Sequence, residues 1–140
     1  RFTWNEKVFK KTPGNFSSIN MTDVVCGVVI HDNRILITQR GDEKNYGKWE
    51  FPGGKINNGE HPFDSIKREL FEELRLKVEP INEITRYNYL KFNLIFIECE
   101  VFNSENIQLS EHLDYSWIER KELSKFNFLE GDLRFIKSYK

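Results

Sequence analysis

Glu69, Glu72 and Glu73 stand at i, i+3 and i+4 within the stretch Gly54 to Leu76, GKINNGEHPFDSIKRELFEELRL. On an α-helix, at about 100° per residue, three such carboxylates share an arc of about 100°. Like charges at these spacings mildly destabilise a helix. If they converge at a partly buried surface something must neutralise them, and a hard divalent cation with oxygen ligands is the natural candidate. Glu60 precedes the run and adds a fourth carboxylate, while Arg68 is placed to pair with one of them and fix its orientation. The Gly53-Gly54 pair lets the backbone turn sharply, so that a carbonyl oxygen can face the same ion. The alternative is a solvated acidic face on which Lys67, Arg68 and Arg75 form ordinary helix ion pairs. The glycine loop, Glu60 and the Arg-Glu pair occurring together weigh against it.

Several elements must position these groups. Pro62 suits a first helical turn, where a missing N–H costs nothing. Phe63, Ile66, Leu70 and Leu74 then form one apolar stripe beside the acidic arc. Ahead of this helix, Val24 to Ile30 is a β-branched run that reads as a buried strand. Asp32-Asn33 reads as a tight turn into a second strand over Ile35 to Thr38. Residues 41–48 read as a polar loop, and Trp49 to Lys55 as a short strand broken at Pro52-Gly53-Gly54. Beyond the helix, strands are expected near Ile81–Leu90 and Asn93–Phe102, then a polar loop over Asn103–Leu113 and a last short strand over Tyr115–Ile118. Leu129 to Tyr139 has helical spacing. The order strands, helix, strands, helix predicts an α+β fold, a mixed β-sheet flanked by helices.

The segment resembles the Nudix signature: Gly54, Glu60, Arg68, Glu69, Leu70, Glu72, Glu73 and Leu76 fall on its positions. One position departs, because the signature glycine near the helix end is Arg75 here. A glycine there would suit a left-handed turn, so an arginine predicts a helix that ends differently or under strain. The likeness continues through Thr38-Gln39-Arg40 and Trp49-Glu50-Phe51-Pro52-Gly53-Gly54-Lys55, which look like the MutT-like branch, and it spans roughly residues 22–137. That resemblance implies an α/β/α sandwich of the Nudix type. It also implies hydrolysis of a nucleoside triphosphate to the monophosphate and pyrophosphate, with oxidised dGTP or a CTP/dCTP-type substrate. Mg²⁺ or Mn²⁺ is the implied cofactor, held by Glu69, Glu72 and Glu73, with Glu60 as a helper and the Gly53 carbonyl as a neutral ligand. Arg68 would orient a glutamate.

A glutamate from a later loop often serves as general base in this branch, and Glu111, six residues before Trp117, fits that place or a further ligand. Its other reading is a surface acid, and the adjacent His112 reads as a surface residue. Arg40 and Lys55 are the candidate phosphate contacts, or else plain surface charges. Asp132 resembles the position where the family reads the base edge. It is equally a candidate helix N-cap. Tyr87, Tyr89 and Phe92 are candidates to stack on a base, or core residues.

The 140 residues carry 21 Lys+Arg against 22 Asp+Glu, with 39% hydrophobic and 31% charged positions. That is a folded-domain composition, and its near-neutral charge argues against a nucleic-acid-coating protein. Two cysteines, Cys26 and Cys99, are too few for a disulfide scaffold or zinc site and read as buried thiols. No apolar run approaches the ~18 residues of a membrane span, and no secretory signal is visible, so a cytoplasmic monomer or homodimer acting on a small nucleotide is expected. Residues 21–140 read as one domain. Residues 1–20 read as an appended or upstream segment before Met21, or as an arm packing Phe2, Trp4, Phe9 and Phe16. Two rival functions keep the fold. One is hydrolysis of ADP-ribose, a nucleotide-sugar or a dinucleoside polyphosphate. The other is a nucleotide-binding module without turnover, whose usual mark, lost box carboxylates, is missing here.

Overall fold

The computed structural model describes residues 21–102 and 106–139, so both readings of residues 1–20 lie outside the described residues. The β-branched run forms β1 (Thr22–His31), whose side chains are buried on both faces: Val24, Cys26 and Val28 on one, Val25 and Val29 on the other. Asp32 and Asn33 have φ of 50° and 62°. Positive φ at both central residues makes the tight hairpin whose twist matches its strands, and it leads into β2 (Arg34–Arg40). The Trp49–Lys55 segment is split into β3 (Trp49–Glu50) and β4 (Gly53–Lys55). The break falls at Phe51-Pro52, and both glycines belong to β4. Gly53 pairs with Cys26, and a Cβ there would run into the Val25 carbonyl.

Later in the chain lie β5 (Val78–Tyr89), β6 (Phe92–Val101) and β7 (His112–Glu119). β1 runs parallel to β6 from Thr22↔Phe92 to Ile30↔Glu100. Its other edge is shared between β4 and β2. The sheet order is β3-β2-β1-β6-β5, with β4 on β1 and β7 on β2. β7 begins three residues ahead of the expected Tyr115, because Arg40 pairs with His112 across a register shift that leaves Leu113 unpaired.

Helix α1 (Pro62–Leu74) covers one face through Ile66, Leu70 and Leu74, which pack on Val25, Val29, Leu36, Ile95 and Ile97. A Cβ on Gly27 would stand 3.2 Å from both Ile66 and Leu70, so its absence lets the helix lie close to β1. Helix α2 (Glu130–Ser138) covers the other face through Phe135, among Phe51, Phe96 and Phe128. The expected α+β sandwich, helix on mixed sheet on helix, is therefore the observed one. A 3₁₀ turn over Arg120–Lys125, closed by the reciprocal Glu119–Glu122 capping bonds, was not expected. Cys26 and Cys99 are buried free thiols. Among the described residues no helix is long and apolar enough to cross a membrane.

α1 starts with Pro62 in its first turn, behind an unexpected cap, the His61 ring accepting from the Phe63 amide at 3.0 Å. It ends at Arg75 in the left-handed region (φ 56°, ψ 28°), with the Arg75 amide donating to Phe71 O at 2.9 Å. Of the two expectations for an arginine here, a different ending or a strained one, the structure shows the strained one. The chain makes a left-handed turn there despite the Cβ.

Candidate active site

Arg68 gathers most of the box carboxylates. Its Nε donates to Glu60 Oε2 at 2.9 Å and its Nη2 to Glu60 Oε1 at 3.0 Å, a two-pronged grip. Nη1 donates to Glu69 at 2.9 Å and to Glu72 at 3.3 Å. Nη2 also reaches the Lys55 carbonyl at 3.1 Å, and the Asn57 amide donates to Glu60 at 3.0 Å. The loop from Lys55 to Glu60 is thus tied to α1 through one guanidinium. The Arg68 hydrogen bonds hold the Glu60 carboxyl down at about 2. The same bonds raise the pKa of the guanidinium.

The glutamates of α1 lie at different depths. Glu72 is exposed, Glu69 is largely covered, and Glu73 is only 4% exposed. The Glu69 carboxylate lies so close to β4 that a Cβ on Gly54 would sit 2.5 Å from it. Burial pushes the Glu73 carboxyl well above the ordinary range, and the Glu50 and Glu69 charges add to that rise. A carboxyl disfavoured as an anion in this way is stabilised as one by a nearby cation, so the donor set suits a hard metal ion. The site is not a finished metal cage. Among the described residues no three ligating groups are gathered as a metal cluster. Arg68 holds Glu60, Glu69 and Glu72 instead, engaging Oε1 of Glu69 and Oε2 of Glu72.

Beside Glu73 lies a buried charge network that sequence reasoning missed. Glu50, on β3, is 0% exposed. Its Oε1 accepts from Arg40 Nη1 at 3.2 Å, and its Oε2 lies 2.8 Å from His112 Nε2. An ionised carboxylate only accepts, so Nε2 carries the hydrogen. Arg40 Nε donates to Asp42 at 2.7 Å. Two sequence readings are corrected here. The His112 side chain is 3% exposed and is no surface residue. Arg40 is 4% exposed, with its guanidinium committed to Asp42 and Glu50, so it is neither a plain surface charge nor presented to a phosphate.

Glu111 is exposed, next to His112. The segment before it is fastened to the end of α1. Gln108 N donates to Leu74 O at 2.9 Å, and Ser110 donates to Glu73 O through its amide at 3.3 Å and its hydroxyl at 3.0 Å. Lys55 is exposed at the end of β4. Asp132 is fully buried in the first turn of α2, and the Phe51 amide donates to its Oδ2 at 3.3 Å. The N-cap reading is corrected, because the cap residue is Leu129, without a side-chain cap bond. Phe92 is core. The Tyr87 ring stacks on Phe96, and its hydroxyl donates to Gly131 O at 2.6 Å and accepts from Phe135 N at 3.1 Å.

The fold brings Glu60, Arg68, Glu69, Glu72, Glu73 and the backbone at Glu111 to one side of the sheet. It leaves Asp132 on the α2 side. The segment from Glu50 to Gly54 joins the two: Glu50 lies beside Glu73, the Phe51 amide bonds Asp132, and Gly54 abuts Glu69. A mixed sheet between two helices, with this glutamate-rich helix against a glycine strand, defines a class of phosphoanhydride hydrolases. The NUDIX domain model matches residues 21–139, and the chain belongs to that family, as a Nudix hydrolase of the MutT type. It is 36% identical over 110 residues to the 8-oxo-dGTP diphosphatase of Buchnera aphidicola subsp. Schizaphis graminum, covering 76% of this chain and 84% of that protein. It is 24% identical over 126 residues to the CTP pyrophosphohydrolase of Escherichia coli, covering 86% and 93%. The solution structure of the E. coli ORF135 protein shares the fold, with a TM-score of 0.73 at 23% identity over 90% of this chain and 93% of that one.

Proposed function

We propose that this chain hydrolyses a nucleoside triphosphate to the monophosphate and pyrophosphate, with an oxidised dGTP or a CTP/dCTP-type nucleotide as substrate. The observation that carries the reading is the Glu50–Gly54 segment. It joins the carboxylates of α1, at Gly54, to the buried Asp132, at the Phe51 amide, so the two candidate contact points lie on one short segment. Relatives named for 8-oxo-dGTP and for CTP support the same substrate class.

Glu69, Glu72 and Glu73, with Glu60 and the Gly53 carbonyl, would hold Mg²⁺ or Mn²⁺. When bound, such an ion neutralises the polyphosphate and makes water more acidic. Arg68 presents Glu60, Glu69 and Glu72 in fixed orientations before the ion arrives. Glu111 takes the proton of the attacking water or adds a ligand. Lys55 contacts phosphate oxygens, and Asp132 reads the base edge. Arg40 holds Glu50.

Hydrolysis with and without Mg²⁺ tests this across 8-oxo-dGTP, dGTP, CTP, dCTP, ADP-ribose and a dinucleoside polyphosphate, read as pyrophosphate release for the triphosphates and as nucleotide products for all. Metal-dependent monophosphate formation from one triphosphate, abolished in a folded Glu73→Gln variant, is the expected result. Turnover of ADP-ribose or the dinucleotide alone would reassign the substrate. Nucleotide binding without turnover of any member would make the chain a binding module.

A further inference from the structure

The buried Glu50–His112 pair has no place in the roles assigned above, yet it is costly to build. Two polar side chains, 0% and 3% exposed, come from strands 62 positions apart and meet at 2.8 Å. Burying such groups costs free energy unless they satisfy each other. The pair sits where the chain needs a fixed point. Leu113 is skipped in the β2–β7 register, and a bulge of this kind beside a site redirects the neighbouring side chain. On the other side of Glu111, Ser110 is bonded to the carbonyl of Glu73 by both its amide and its hydroxyl. Glu111 therefore stands between two anchors, one on the last turn of α1 and one on the buried carboxylate of β3.

We infer that the Glu50–His112 hydrogen bond is a positioning device that fixes the backbone of Glu111 against the end of α1. Arg40 completes it, because its guanidinium, backed by Asp42, keeps Glu50 in the rotamer that meets His112. The inference rests on the proposed role of Glu111 in ion binding and proton transfer.

A double-mutant cycle between His112 and Glu111 tests it, read as Mn²⁺ affinity by the loss of the free-ion resonance signal and, separately, as kcat. Mn²⁺ affinity falls about tenfold in His112→Ala, the usual cost of losing a partner behind a metal ligand. His112→Gln, whose amide still donates to Glu50, recovers most of that loss. In a Glu111→Gln background the His112→Ala change adds nothing further, since its effect passes through Glu111. Equal losses in both backgrounds overturn the inference and leave the role of Glu111 standing. If Glu111→Gln by itself changes neither Mn²⁺ affinity nor kcat, the role of Glu111 falls and the inference with it. Thermal melts accompany each variant. Should His112→Ala not fold, His112→Asn, too short to reach Glu50, takes its place in the cycle with the same expected and overturning results.

Discussion

Glu60 is the carboxylate that Arg68 grips with both prongs, and its acidity records the grip. Its carboxyl titrates at about 2 in the folded chain against an ordinary 4.5. Over that interval the unfolded chain binds more protons than the folded one, so protonation favours unfolding. The contribution is fully present above pH 4.5 and is lost as pH falls towards 2. Glu60→Gln removes it. Urea unfolding measured at several acidic pH values should therefore show a shallower fall in stability for the variant than for the wild type. Parallel curves would mean that the ion pair contributes nothing to folding. The same grip explains why a lysine could not replace Arg68, since one ammonium has no planar fork to serve Glu60, Glu69, Glu72 and the Lys55 carbonyl together.

At the scale of elements, the end of α1 shows a local preference overridden. Arg75 holds φ at 56°, where a Cβ costs about 1 kcal/mol. Part is offset by its guanidinium, 5.2 Å above the Phe71 ring. Arg75→Gly should raise the unfolding free energy by about 0.5 kcal/mol, read by urea denaturation, with turnover unchanged. A loss of stability would assign the position to the arginine contact instead. The elements legible in the sequence are those made by short-range rules. The Asp32-Asn33 hairpin, the stripe of α1 and the β-branched run of β1 each need only a few neighbouring residues. The start of β7 is not among them, because His112 is held by partners far along the chain. The same distance hid most of the missed site. Glu50 lies between Trp49 and Phe51 and looks like the outward residue of a short strand. Arg40 and His112, brought to it by the sheet, make it a buried one. Glu69, Glu72 and Glu73 were legible because a helix puts them together by period alone.

Across the whole molecule, the two glycines of β4 separate folding from chemistry. At Gly53 an added Cβ meets backbone, the Val25 carbonyl, which cannot move without breaking the β1–β4 pairing. At Gly54 the nearest atoms it meets are the end of the Glu69 side chain, which can swing aside. Gly53→Ala should cost at least about 2 kcal/mol of stability. Gly54→Ala should melt near the wild type but lose about a hundredfold in kcat, because a displaced carboxylate ruins its alignment. If both variants fail to fold, or both turn over normally, that division is wrong. The two helices extend it. The carboxylates of α1 and Asp132 on α2 lie on opposite faces of one sheet, and the short stretch from Glu50 to Gly54 touches both. If hydrolysis rests on α1 and base choice on Asp132 as proposed, divergence on α2 would retune which nucleotide is accepted while leaving the apparatus of α1 in place.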